Sequence, residues 1–116
     1  MSVSYFVSYR GPSSDEAAFY RRYREVHAPI LGAMPGIAAL VLHRPVAWHD
    51  PYPVNSGGLQ LLAQMVFPSA EALDRALASE ARKAARADFA HFPPVAGPVL
   101  HQAMQSETVF GAPLLT

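Results

Sequence analysis

His27 is the residue of this chain best suited to acid–base chemistry. It lies in the segment FYRRYREVHAPILGAMPG, which runs from Phe19 to Gly36. Histidine titrates near neutrality without help from its surroundings, so it can take up or release a proton during a reaction. Tyr23, one helical turn before it, and Tyr20 are candidate helpers. Two interpretations compete: His27 is a general acid or base beside a ligand, or it is a hydrogen-bonded histidine of the core.

Further polar and aromatic side chains are candidates for contact with a ligand. His43 falls late in the second predicted strand and His101 early in the last one. If both point into a shared interior they form a polar ligand site, and if they point outward they are surface residues. Trp48 borders a loop and either covers a pocket or anchors the loop. His91 follows Asp88 by three residues, which predicts a local charge pair on a helix.

Several kinds of site are excluded by residue type and spacing. The chain has no cysteine, so it has neither disulfides nor thiolate ligands. Its five histidines show neither H-x-H nor H-E-x-x-H spacing, and no glycine-rich phosphate loop is present. We therefore predict no metal and no cofactor.

Charge and hydrophobic content predict the partners. Nine Lys and Arg balance nine Asp and Glu, which gives no electrostatic footprint for nucleic acid or anionic lipid. No apolar run is long enough to cross a bilayer and no leader pattern opens the chain, so a cytoplasmic location is expected. Hydrophobic residues make up 51% of the chain and charged residues only 16%, against about 25% in ordinary domains. This excess of apolar surface predicts a homodimer.

The segment that carries His27 has the pattern of an amphipathic helix. Ser13 and Glu16 have the spacing of a capping box at its start, and Pro35-Gly36 ends it. Pro29 lacks the N–H that would bond the carbonyl of Glu25, which predicts either a bend just after His27 or a loose continuation of the helix to Gly32. The apolar stripe predicted for this helix consists of Phe19, Tyr23, Val26, Ile30 and Met34, with His27 beside it.

The rest of the chain alternates strands and helices. Strands are predicted over residues 3–9, 37–46, 59–67 and 99–110, and His49 to Gly58 is predicted to be a loop. Ser69 and Ser79 are the predicted caps of two further helical segments. The first of these has the predicted stripe Ala70, Leu73, Ala76 and Leu77, and the second Ala81, Ala85, Phe89 and Phe92.

This order of elements predicts one domain spanning residues 1–116. Strand, helix, strand, strand, helix, strand is the ferredoxin-like arrangement, with a four-stranded antiparallel sheet and helices on one face. The other face keeps apolar residues that a second sheet would bury, so a dimeric α+β barrel is expected. The tail, residues 111–116, keeps two leucines and is predicted to dock on another surface.

Specific segments resemble the EthD-like family of the dimeric α+β barrel superfamily. They are YREVHAPI followed by MPGI, a strand ending at Phe67, and the helix LDRALASEARKAARADFAHF with Asp88 and Phe92. The resemblance covers roughly residues 3–110. Leu40 stands where many members carry a tyrosine, and Gln64 where many carry a glutamate.

The resemblance implies a function in small-molecule catabolism. The family takes its name from a bacterial gene cluster for ethyl tert-butyl ether degradation, and some relatives resemble cofactor-independent lactone isomerases or polyketide-tailoring enzymes. We predict that a small, largely apolar organic substrate binds near His27, with Tyr23, His43, Trp48 and Gln64 as substrate-binding residues. His27 would then serve isomerase, lyase or oxygenase chemistry as acid or base. The alternative is a non-catalytic accessory protein that supports a partner oxidase.

Overall fold

A four-stranded antiparallel sheet organises the computed structural model, which describes residues 2–112. The sheet order is β2-β3-β1-β4, the order of a ferredoxin-like βαββαβ domain, so the predicted fold class is confirmed. The strands are β1 (Ser2–Arg10), β2 (Ala39–His43), β3 (Leu59–Phe67) and β4 (Val99–Ser106).

Two predicted strands are longer than the observed ones. β2 ends at His43 instead of residue 46, because Pro45 lacks the N–H that the ladder requires. β4 ends at Ser106 instead of residue 110, because Ser106 already pairs with Ser2, the first residue of β1. Beyond that point the neighbouring strand offers no further partner.

The helices pack on one face of the sheet. The first helical segment consists of α1 (Glu16–Arg22), a π turn (Tyr23–His27) and α2 (Ala28–Gly32). The second consists of α3 (Ala70–Leu77), α4 (Glu80–Asp88) and a 3₁₀ turn (Phe89–His91). Within residues 2–112, none of these helices has the length and apolar character required to span a bilayer.

The helix caps follow the sequence prediction in two of three cases. Ser69 accepts a hydrogen bond from the N–H of Ala72 at 3.1 Å, and Ser79 accepts one from Arg82 at 3.3 Å. The capping box predicted for Ser13 and Glu16 is wrong, because α1 begins one residue after Asp15. The Asp15 carboxylate accepts the N–H of Ala18 at 3.0 Å, and aspartate caps a helix as well as serine does.

A π turn ends at His27, where a bend was one of the two predictions, and the helix then continues to Gly32. The N–H of Ala28 bonds the carbonyl of Tyr23, five residues earlier rather than four. The turn thus holds one residue more than an α-helical turn, and side chains four positions apart stay in line. The buried row is therefore Phe19, Tyr23, His27 and Leu31.

The prediction that Val26 belongs to this row is wrong. Its side chain is 37% exposed, because the additional residue in the π turn rotates it out of the core. On α3, Ala70 is likewise exposed and Ala72 takes its place beside Leu73 and Ala76.

The core lies between the helices and one face of the sheet. Aromatic rings dominate it: the Tyr9 and Phe19 ring centroids are 5.3 Å apart, and those of Phe19 and Phe92 are 4.8 Å apart. The opposite face of the sheet carries no helix, and there Leu100 and Met104 of β4 are each 49% exposed. The docking predicted for the tail falls largely on Leu114 and Leu115, which lie outside the described residues.

Candidate functional site

His27 lines a cavity between the helical layer and the sheet. The π turn directs its side chain inward, where only 5% of the residue is exposed. The cavity has a volume of about 430 Å³. Most of its lining is apolar or aromatic, with residues that include Val7, Leu31, Met34, Met65, Leu77, Ala85, Phe89 and Val99. A small organic molecule therefore fits beside the imidazole ring.

Asp88, the last residue of α4, fixes the orientation of this ring. Its Oδ2 lies 3.0 Å from Nδ1 of His27, and its Oδ1 accepts a hydrogen bond from the Arg22 guanidinium. Burial opposes ionisation of Asp88, which is 7% exposed, but the hydrogen bonds from Arg22 and His27 outweigh it and lower the pKa of the carboxyl. The carboxylate is therefore ionised and paired with a cation.

The ionised carboxylate selects one tautomer of His27. Because a carboxylate can only accept hydrogen bonds, Nδ1 must carry the proton. Nε2 is then the unprotonated nitrogen, and the structure gives it no hydrogen-bond partner within residues 2–112. Burial lowers the pKa of His27, although Asp88 counteracts this effect. The ring is thus a neutral base with its free lone pair on Nε2, held in place by Asp88.

The direction of this pKa shift predicts how stability depends on pH. Because the pKa of His27 is lower in the folded chain than in the unfolded chain, its contribution to stability is complete above about pH 6.5 and is lost as the pH falls below that value. Asp88 has the same sign at lower pH. We therefore expect the free energy of unfolding, measured by urea denaturation, to fall more between pH 7.5 and pH 5.0 in the wild type than in His27→Gln. The difference between the two proteins should be at most about 1.4 kcal/mol per pH unit. Equal losses would show that His27 does not titrate in this way.

Two tyrosines lie behind the imidazole in the cavity wall. The Tyr23 and His27 rings have centroids 4.8 Å apart, and Tyr9 packs edge-on against Tyr23. Burial raises the pKa of both phenols, that of Tyr9 to about 12. The Tyr23 hydroxyl interacts with the neighbouring Tyr9 hydroxyl but makes no well-formed hydrogen bond to any described residue. The Tyr23 hydroxyl therefore remains protonated and can donate a hydrogen bond.

Other predicted ligand-binding residues lie away from this cavity. His43 Nε2 is 3.0 Å from Oε1 of Gln64, whose Nε2 donates to the Ser4 hydroxyl at 3.2 Å. The strand register places His43 and Gln64 on the helix-free face of the sheet. Trp48 lies in the loop after β2 and is 60% exposed. The chain brings Tyr23 to His27, but it does not bring these three residues there.

His101 is the second histidine of the cavity lining. In the sheet it pairs with Val7, so its side chain is on the helix-covered face. The Tyr5 hydroxyl lies 3.0 Å from its Nδ1. Of the two strand histidines, His101 therefore shares the cavity with His27, whereas His43 does not.

Asp88 and Arg22 are the site residues that the sequence reading missed. It paired Asp88 with His91, but the carboxylate points to Arg22 and His27 instead. One pattern indicated this: Asp88 lies three residues after Ala85 and four before Phe92, on the buried stripe of its helix. A carboxylate on a buried stripe requires a partner, and the only histidine of the other helical stripe is His27.

A second cavity of about 480 Å³ lies between α1 and the loop after β2. Its lining includes Glu16, Tyr20, Arg44 and Gln60 but no histidine of residues 2–112. Nowhere within residues 2–112 do three or more His, Asp or Glu side chains form a cluster able to hold a metal ion. Acid–base geometry therefore distinguishes the first cavity, although the two volumes are similar.

Comparison with known proteins places these features in a family. The family model of the EthD domain matches residues 11–93, which includes Arg22, His27 and Asp88. A search of curated proteins gives no match.

Solved structures share the fold. An ethyl tert-butyl ether d (EthD) family protein from Bacillus halodurans is 23% identical with a TM-score of 0.74, over 92% of this chain and 100% of that one. SnoaB from Streptomyces nogalater, a cofactor-independent oxygenase, is 14% identical with a TM-score of 0.65, over 96% and 98%. A dimeric protein of unknown function with a ferredoxin-like fold, from Bacteroides fragilis, is 8% identical with a TM-score of 0.62, over 90% and 96%.

Proposed function

We propose, from the premise that this chain belongs to the EthD domain family, that it acts in small-molecule metabolism by transferring protons within a bound organic molecule. The single observation that carries the proposal is the neutral His27, which lines an apolar cavity and donates Nδ1–H to the buried Asp88 carboxylate. Family membership and a cofactor-independent oxygenase among the structural neighbours support the same class of function.

The proposed step uses His27 as a general base. Nε2 removes a proton from a C–H or O–H group of the ligand, and the resulting imidazolium is stabilised by the Asp88 carboxylate. In an isomerisation or lyase reaction His27 returns the same proton to the product or leaving group. Oxygenase chemistry would start with the same deprotonation and would also consume O₂. Tyr23, whose ring packs against the imidazole and whose hydroxyl is protonated, would stabilise the oxygen on which negative charge develops.

A ligand screen with a residue-specific readout tests this proposal. Lactones and small aromatic acids are added to the protein, and both the melting temperature and the imidazole proton NMR signals are followed. A ligand at 100 times its Kd should raise the stability by about 2.7 kcal/mol. It should also shift the signal of His27, which is assigned by its absence in His27→Gln. Ligands that stabilise the protein without affecting that signal would contradict a site at His27.

A non-catalytic ligand-binding or accessory role is the second candidate. Two positions favour it, because Leu40 and Gln64 replace a tyrosine and a glutamate that the family resemblance leads one to expect. In this case the His27 signal would shift on binding, but the bound compound would be recovered unchanged, with no solvent deuterium incorporated. Deuterium exchange into a recovered ligand, lost in His27→Gln, would instead support catalysis.

We also propose that two copies pack through their helix-free sheet faces. Leu100 and Met104 are exposed on that face, and apolar surface of this kind favours association. The sheet could supply the interface of about 1,600 Å² in total that stable dimers bury. Sedimentation at micromolar concentration should give twice the chain mass of 12.6 kDa. Met104→Glu should weaken the dimer, whereas Glu71→Lys on α3 should not, and a wild-type monomer would contradict the proposal.

A further inference from the structure

The cavity that contains His27 has a cationic side as well as an apolar one. Arg82 and Arg86 of α4 both contribute to its lining, and His101 of β4 completes this side together with Tyr5. The Arg82 guanidinium carbon lies 5.7 Å from the centre of the Tyr5 ring, so it sits beside the residue that bonds His101. Residues from the helix and from the sheet thus converge on one region of the cavity lining.

The two arginines lack carboxylate partners among residues 2–112. The ion pairs found there are Arg22 and His27 with Asp88, and Lys83 with Glu80. The Asp88 charge is thus already matched, which leaves Arg82 and Arg86 without a counter-charge from the described chain.

Their placement also conflicts with helix stability. Arg82 and Arg86 are four residues apart, the spacing at which like charges repel on a helix surface. Lys83, which lies between them on the chain, pairs with Glu80 and does not contact the cavity. Two like charges that repel each other and have no carboxylate partner in the described chain are explained if an anion binds beside the guanidinium groups and His101.

His101 adds a neutral hydrogen-bond donor to this group. Burial, together with Arg82 and Arg86, lowers the pKa of His101, so the ring is uncharged at neutral pH. When its Nδ1 accepts the hydrogen bond from the Tyr5 hydroxyl, its proton lies on Nε2. Arg82, Arg86 and His101 thus line the same cavity, whose described lining contains no carboxylate.

We propose that the ligand of this site is an organic carboxylate with a mainly apolar body. Arg82, Arg86 and His101 bind the carboxylate, and the apolar body extends along Leu31 and Met65 toward Nε2 of His27. The carboxylate thereby orients the molecule, so that the group to be deprotonated meets the base. This inference deepens the proposed function and rests on it, because it assigns the substrate class of the same cavity.

A pair of matched probes tests the charge requirement. 2-Naphthoate and its neutral isostere 2-naphthamide are titrated calorimetrically into the full-length protein. We expect the acid to bind at least about tenfold more tightly than the amide, because hydrogen bonds to charged groups are the stronger class. We also expect this preference to shrink as salt is raised. Equal affinity for the two probes, or no binding of either at millimolar concentration, would overturn the inference.

Charge-removing variants then locate the preference. In Arg82→Gln/Arg86→Gln the affinity for naphthoate should fall about tenfold or more, and that for naphthamide should stay within about threefold. Lys83→Gln removes one charge from the same helix away from the cavity and should leave both affinities unchanged. Melting curves check that the variants are folded. Retention of the full acid preference by the double variant would overturn the assignment to these arginines.

The outcomes for the two proposals are separable. If both probes bind equally and shift the His27 signal, the inference fails while the proposed function stands. If the double variant loses naphthoate binding but naphthoate leaves the His27 signal unchanged, an anion site exists and the proposed role of His27 fails.

Discussion

Replacing Asp88 with alanine is expected to lower the free energy of unfolding by about 3 kcal/mol, the low end of the cost of breaking a buried ion pair. The change removes the acceptor of two hydrogen bonds and leaves the Arg22 guanidinium uncompensated in a half-buried position. The figure is at the low end because the Arg22 side chain is 32% exposed, so water replaces part of the lost interaction. Urea denaturation at pH 7 measures the loss.

Two further variants distinguish the causes of this effect. Asp74→Ala, on the exposed side of α3, removes a carboxylate from the surface and should change stability by less than about 0.5 kcal/mol. Asp88→Asn keeps the shape but turns part of the acceptor into a donor, so it should favour the wrong His27 tautomer. We expect it to retain more stability than Asp88→Ala and still to lose about 10²-fold or more in any turnover. A fully active Asp88→Asn would show that the carboxylate has only a structural role.

The second large effect is expected for His27→Gln. The glutamine amide can donate to the Asp88 carboxylate as Nδ1–H does, so the free energy of unfolding should change by less than about 1 kcal/mol. The amide cannot accept a proton at neutral pH, and a general base typically contributes 10²–10⁴-fold to the rate. We therefore expect deuterium exchange into a bound ligand to fall by about that factor, with ligand affinity altered much less.

The glutamine variant is more informative than His27→Ala. His27 is shielded from bulk water and also lines the cavity. His27→Ala would therefore destabilise the chain by about 1–3 kcal/mol whether His27 is a general base or a histidine of the core. His91→Gln makes the same substitution at an exposed position of the 3₁₀ turn and serves as the control. Unchanged exchange in His27→Gln, measured beside that control, would leave His27 as a histidine of the core.

The elements of the fold followed from local sequence rules. Alternation in β1, the nine-residue β3 and the serine caps of α3 and α4 depend on neighbouring residues, and these predictions are confirmed. The end of β4 at Ser106 depends on where its partner β1 begins, which is a property of pairing across the sheet, whereas β2 ends at His43 ahead of Pro45. Local pattern therefore predicts which elements form better than where they end.

Half of the candidate site was accessible from the sequence. His27 stood out by residue type, and Tyr23 by its helical spacing from His27. Asp88 is 61 residues from His27 along the chain, and a helical pattern carries no information about which side chain of another helix it will meet. The π turn added a second obstacle, because the regular helix assumed in the prediction placed Val26 in the buried row, whereas the π turn turns Val26 outward.

The π turn also restricts how the gene for this protein can change in length. A π turn corresponds to one amino acid more than a regular helix needs, so deletion of one codon between Tyr23 and His27 would restore α-helical geometry. Residues after the deletion would keep nearly their present direction around the helix axis, because the π turn accommodates its additional residue within about the same rotation. Insertion of a further codon would instead turn every later residue by about 100° relative to α1, and His27 would no longer face Asp88. A single-codon deletion in this segment is therefore compatible with the site, whereas a single-codon insertion removes it.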